Sequence, residues 1–216
     1  MKKVFSILVL VFCFSEFLCV SSEAKITSKE AIGKVQGETY INKVMGARAY
    51  FSKDNWKILT QEEIFKSQAE MRSKSKNLEE LLSNSNNATI FYVATHDSMA
   101  NINIVASNMG IMAHKIKKDS EIKDFVKQMT SGLKEQLYRA YKDFGCENIE
   151  MKNTAINFIG KNCYGADIIV TLNNGVEMYQ KQVYCIADEY CYIVTATSVI
   201  ADITDDLLAM FKKSAY

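Results

Sequence analysis

The sequence predicts an α+β fold, an antiparallel β-sheet flanked by helices, and three observations carry that expectation. Strand-like segments follow one another through short turns such as "NNG" at 173–175, where Asn and Gly tolerate positive φ. A stripe of Ile122, Phe125, Val126, Met129, Leu133, Leu137, Tyr141 and Phe144 recurs at helical steps. The order is strands, helix, hairpin, long helix, four-strand meander, helix. That segregation argues against the alternating pattern of a parallel sheet.

The chain opens with basic "MKK", the apolar run "VFSILVLVFCF" and a small, polar stretch, the layout of a secretory signal peptide over 1–24. Ser22 and Ala24 supply the small-x-small pattern for cleavage after Ala24. The run is short of the roughly 20 apolar residues of a membrane span. Cys13 follows Phe12 and Cys19 follows Leu18, which does not suit lipidation. An uncleaved anchor is the alternative. The expected location is secreted or extracytoplasmic, at the cell envelope, with membrane contact only through this segment. Residues 25–32 form a short leader, and 33–216 make one domain of sufficient size for a core.

Along that domain, 33–59 read as two or three short strands bent at Gly33, Gly37 and Gly46, with a polar turn delivering Trp56. Thr60 and Glu63 form a capping box that opens a helix carrying Ile64, Phe65, Met71, Leu78, Leu81 and Leu82, and 83–87 end it as a loop. "ATIFYVATH" is a strand, and "DSMA" turns it into its partner, "ANINIVASNMG" at 100–110. That partner alternates. Ile102, Ile104 and Ala106 should face a helix, while Asn101, Asn103 and Ser107 share the other side, either wet or covered by a second helical layer. After a connection over 109–118, the long stripe predicts one helix ending at Gly145, about 36 Å at 1.5 Å per residue. The meander follows, and "DITDDLLAMFKKS" closes the chain as a helix capped by Asp202 or Thr204, with Leu207, Leu208 and Phe211 inward.

Lys and Arg total 26 against 25 Asp and Glu, a net charge of +1 that gives no electrostatic basis for binding nucleic acid. Outside the signal, Cys146, Cys163, Cys185 and Cys191 allow three full pairings. Cys185 and Cys191 flank a hairpin turn and are the candidate disulfide if its loop has three residues; a two-residue loop puts them on opposite faces.

"GETYINKVMGARAYFSKDNWKILTQEEI", with Gly46, Tyr50, Phe51 and Trp56, resembles the opening of PsbP-like and DcrB-like domains of exported bacterial proteins. The usual proline near Lys53 is missing. "NINIVASNMG" resembles the second hairpin strand of those domains, and "YQKQVYCIADEYCYIVTATS" followed by "DDLLAMFKKS" resembles their closing hairpin and helix. The resemblance implies a PsbP-like α/β/α sandwich. It also implies an accessory or binding role, as in the PsbP subunits of photosystem II and the Ran-binding Mog proteins, and carries no catalytic residues.

The residues themselves offer little chemistry. His96 and His114 are the only histidines, and neither stands near a Gly-x-Ser-x-Gly elbow. No catalytic residue, cofactor site or metal-ligand set is assigned. Met109, Ile111, Met112 and His114 form the candidate interaction patch, apolar and hinged on Gly110. The expected function is therefore a non-enzymatic accessory or binding module whose partner is an unknown protein or small molecule. A carrier with an apolar-ligand pocket between sheet and helix is the alternative, ahead of a hydrolase or metal-dependent enzyme in which His96 and His114 converge.

Overall fold

A computed structural model describes residues 31–73 and 88–214. The expected signal peptide and cleavage site, most of the leader, Leu78, Leu81, Leu82 and the 83–87 loop lie outside the described residues.

The strands sort into two antiparallel sheets. β1 (Lys34–Gln36), β2 (Thr39–Asn42), β3 (Ala47–Tyr50) and β11 (Phe211–Lys213) form a four-stranded sheet in the order β1-β2-β3-β11. The larger sheet holds β4 (Trp56–Ile58), β5 (Ala88–Thr95), β6 (Ala100–Asn108), β7 (Cys146–Phe158), β8 (Lys161–Leu172), β9 (Glu177–Ala187) and β10 (Tyr190–Ser198). Its seven strands run in the order β4-β5-β6-β10-β9-β8-β7. The helices are α1 (Gln61–Arg72), α2 (Ile111–Lys115), α3 (Asp119–Thr130), α4 (Leu133–Lys142) and α5 (Thr204–Ala209). The α+β class expected from the sequence is borne out.

The large sheet is the middle layer. One face packs Phe91, Val93, Ile102, Ile104, Tyr192, Val194 and Val183 against Tyr40, Phe51, Leu207, Leu208 and Phe211. Ile102 and Ile104 therefore meet the small sheet and α5. The other face lies under α2, α3 and α4.

Local signals behave as the chemistry dictates. Thr60 Oγ1 accepts from the Glu63 amide at 3.2 Å, and Glu63 Oε2 accepts from the Thr60 amide at 2.8 Å, closing the capping box. Gly33, Gly37, Gly46 and Gly175 all have positive φ, as the turn readings require. At Gly165 there is no room for a side chain: a Cβ there would overlap the Gln182 carbonyl oxygen.

Two helices differ from expectation. The single long helix is two, α3 and α4, separated by Ser131 and Gly132. Ile122, Phe125, Val126 and Met129 join a cluster with Val105, Tyr184 and Ile193, whereas Leu133, Leu137 and Tyr141 join another with Ile149, Ile168 and Val170. A sheet twists by about 20–25° per strand, so a straight rod leaves it; breaking at glycine lets both halves stay in contact. The closing helix ends at Ala209, and Phe211 begins β11, pairing with Ala49. The Phe211 ring, 5.5 Å from that of Phe158 and 6.2 Å from that of Phe51, fills the core between the sheets. Burial of that ring outweighs one more turn of helix. Leu207, Leu208 and Phe211 do face inward.

Candidate functional site

Beneath α3 and α4, the strand register assembles a buried polar floor. Asn103 pairs with Tyr92 on β5 and Thr195 on β10, and Thr195 pairs in turn with Gln182 on β9. Two residues along, Asn101 pairs with Ala94 and Thr197, and Thr197 with Gln180. Side chains at i and i+2 share a face, so these rows lie side by side on one surface. Three strands at 4.8 Å spacing and two rows give a patch of about 10 by 7 Å. Asn is a poor strand former, so Asn101 and Asn103 at paired positions of a central strand oppose local preference.

All six floor residues are buried: Asn101, Gln182, Thr195 and Thr197 are 0% exposed, Asn103 is 1% and Gln180 is 2%. The asparagine face is therefore covered rather than wet. Gln180 Nε2 donates to the Tyr141 hydroxyl on α4 at 3.1 Å, and the Tyr184 hydroxyl donates to Gln182 Oε1 at 3.2 Å. At the β7 edge, the Thr130 hydroxyl of α3 lies 3.0 Å from Asn153 Oδ1.

Several atoms of this floor lack a partner within the protein: Asn101 Nδ2 and Oδ1, Gln180 Oε1, Gln182 Nε2 and Thr197 Oγ1. Gln136 Oε1, on α4, is in the same condition. An unmade hydrogen bond on a buried group costs about 1–3 kcal/mol, so such a concentration calls for a reason. The set contains acceptors, donors and a hydroxyl that is both.

Neither row carries Asp, Glu, Lys, Arg, His or Cys. Tyr92 is the only ionisable group in them. Burial, reinforced by the Tyr141 hydroxyl, pushes its phenol up, so it stays neutral. A floor of neutral donors and acceptors suits an uncharged polar molecule; an ion would lose its hydration without gaining a counter-charge.

The candidate patch, disulfide and histidines expected from the sequence fall elsewhere. Ile111 is 59% exposed, Met112 is 41% exposed, and His114 on α2 points Nε2 toward Glu189 Oε1 at 3.7 Å. Met109, expected in the same patch, is buried against Val105, Ala113 and Val126, because the chain turns inward before α2 begins. Cys185 and Cys191 do not meet. The β9–β10 loop has two residues, Cys185 pairs with Tyr192, and Cys191 pairs with Ile186. One cysteine thus faces the small sheet and the other faces α3. His96 accompanies the β5–β6 turn, its ring 2.7 Å from the Lys53 carbonyl oxygen. β6 runs from that turn to the loop before α2, about 26 Å at 3.3 Å per residue, so the two histidines do not converge. No group of three or more His, Cys, Asp or Glu is placed to hold a metal among the described residues.

Sequence reasoning isolated Asn101 and Asn103 but missed Gln180, Gln182, Thr195 and Thr197. A signal existed: "YQKQVYC" and "VTATS" repeat polar residues at i and i+2 within apolar strands. Only the pairing brings them to one place.

No family model matches the sequence, and no curated protein does. The fold does match solved structures. The solution structure of cyanobacterial PsbP (CyanoP) from Synechocystis aligns at a TM-score of 0.50 and 12% identity, covering 84% of this chain and 98% of that one. A Pseudomonas aeruginosa protein of unknown function aligns at 0.32 and 18% identity, over 50% of this chain and 66% of the other. A Bacteroides thetaiotaomicron protein aligns at 0.39 and 11% identity, over 83% and 49%. The first of these shows a PsbP-like fold. No helix among the described residues is long and apolar enough to cross a membrane.

Proposed function

From the premise of a PsbP-like fold, we propose that this protein is a non-enzymatic binding module that acts outside the cytoplasm and takes a small, uncharged, polar ligand on the floor of Asn101, Asn103, Gln180, Gln182, Thr195 and Thr197. The observation that carries this reading is the group of buried, unpartnered atoms on Asn101, Gln180, Gln182 and Thr197. A molecule bearing hydroxyl or amide groups satisfies both the donors and the acceptors there. An apolar ligand would leave them unmet, which turns the carrier reading from apolar to polar cargo. The floor carries no carboxylate, imidazole, amine or thiol to act as a general base or to activate its hydroxyls, in keeping with binding rather than turnover.

The test combines native mass spectrometry of the purified full chain with a ligand-detected NMR screen of neutral sugars, polyols and amides. Retention or saturation by one of these classes is expected, lost in Asn101→Leu/Thr197→Val. Binding of charged or wholly apolar compounds instead, or of none, overturns the reading.

A second reading rests on the exposure of Ile111 and Met112 on α2. There the module contacts a protein partner through Ile111, Met112 and His114. A partner captured from envelope extract should be lost on Ile111→Ser/Met112→Ser; capture unchanged by that substitution counts against it.

A further inference from the structure

We propose that Cys163 and Cys185 form a cross-strand disulfide joining β8 to β9. The register fixes their relation. Tyr164 pairs with Tyr184 and Gly165 with Val183, so the next step along both strands sets Cys163 opposite Cys185. Both strands continue through that step, β8 beginning at Lys161 and β9 ending at Ala187. Both side chains belong to the core between the two sheets, 5% and 2% exposed. The two thiols are close enough to interact, which pushes Cys163 up and holds Cys185 down. Directly opposed antiparallel residues have Cα atoms about 4.5–5.5 Å apart, inside the window of roughly 4.4–6.8 Å that a disulfide spans.

The other cysteines are excluded by geometry. Cys191 faces α3 across the sheet, and Cys146 lies at the far end of β7, where it pairs with Leu172. Free thiols stand at all four positions in the structure, so the bond is an oxidation step. Each thiol gives up its hydrogen, the two Sγ atoms join, and two electrons and two protons pass to a disulfide oxidant, which leaves as two thiols. Because both groups end up buried, the exchange takes place while the chain folds. The bond then closes the β8–β9 hairpin at the end opposite its turn at 173–175 and removes freedom from the unfolded chain.

The test refolds the reduced full chain in a mixture of oxidised and reduced glutathione, alkylates it in denaturant, and maps the peptides. A Cys163–Cys185 linked peptide is expected, with Cys146 and Cys191 alkylated. Adding reductant should lower the denaturation midpoint of the native chain and leave that of Cys163→Ala/Cys185→Ala unchanged. Alkylation of Cys163 and Cys185 after equilibration overturns the proposal, as does a linked peptide joining either to another cysteine. The peptide map decides even if the double variant does not fold. The outcome is independent of ligand binding, so failure here leaves the binding proposal intact.

Discussion

Two buried asparagines, one on each side of the large sheet, divide the molecule into a finished half and an unfinished one. Asn42, 0% exposed, sits in the small sheet with its side chain fully used. Its Nδ2 donates to the Ala31 carbonyl at 2.9 Å and lies 3.0 Å from the Tyr40 hydroxyl, and its Oδ1 accepts from the Met45 amide at 2.9 Å. Tyr192 reaches across from β10 to the same Ala31 carbonyl at 3.1 Å. Asn101 is equally buried, yet neither its nitrogen nor its oxygen has a partner. The aromatic half, with Tyr40 stacked on Phe91 at 4.2 Å, reads as structure; the half beneath α3 and α4 reads as a surface held ready for something else. The lesson is that burial of a polar group does not by itself mark a site. A concentration of polar atoms without internal partners does; an isolated one, such as Ser214 Oγ beside the small sheet, does not.

The comparison breaks most sharply at Gly165, on the finished half. Gly165→Val should destabilise by about 3 kcal/mol or prevent folding, because the new side chain overlaps the β9 backbone; chemical denaturation measures it. Next is Asn42→Ala, which strands the Met45 amide and leaves the Ala31 carbonyl to the Tyr192 hydroxyl, and should cost about 2 kcal/mol by the same measurement. The third prediction has the opposite sign. Asn101→Leu/Thr197→Val removes unpartnered polar atoms and should raise stability by about 1 kcal/mol while abolishing ligand retention. A loss of stability as large as that of Asn42→Ala would place Asn101 among structural residues and dissolve the contrast.

The smallest effects concern pH. On the finished half, Lys181 is set between Asp205 Oδ1 at 2.6 Å and Asp167 Oδ1 at 3.2 Å. Burial pushes its ammonium down, but the hydrogen bond to Asp205 and the adjacent Asp167 carboxylate more than offset that and hold it above the ordinary lysine range. The stabilisation is therefore complete below the ordinary lysine value and fades as pH rises through the raised one. Thermal unfolding should show an alkaline decline that Lys181→Met removes. The polar floor holds no group that titrates near neutrality, so ligand retention should stay flat between about pH 5 and 8. Glu63 titrates at the acid end. The hydrogen bond from Lys57, assisted by the Thr60 amide, holds its carboxyl down at about 2. Its contribution is present above the ordinary glutamate value and lost as pH falls toward that figure, read as fraying of α1 in a circular-dichroism acid titration against Glu63→Gln.

What could be read from the residues was what neighbours in sequence decide. The Thr60–Glu63 box, the turns at 173–175 and 97–100, the alternation of 100–108 and the inward side of Leu207, Leu208 and Phe211 all depend on a few bonds between nearby groups. Tertiary structure decided the rest. It broke the long helix at Gly132, because a straight rod cannot follow a twisted sheet. It turned Phe211 from helix into strand, because a ring in the core outweighs a helical turn at the end. A two-residue β9–β10 loop separated Cys185 from Cys191, and the β8–β9 register set Cys163 opposite Cys185, since one residue of register reverses a strand's faces. The polar floor depends on the same register. Its residues come from three strands spread between Asn101 and Thr197, and they become a single surface only when those strands pair.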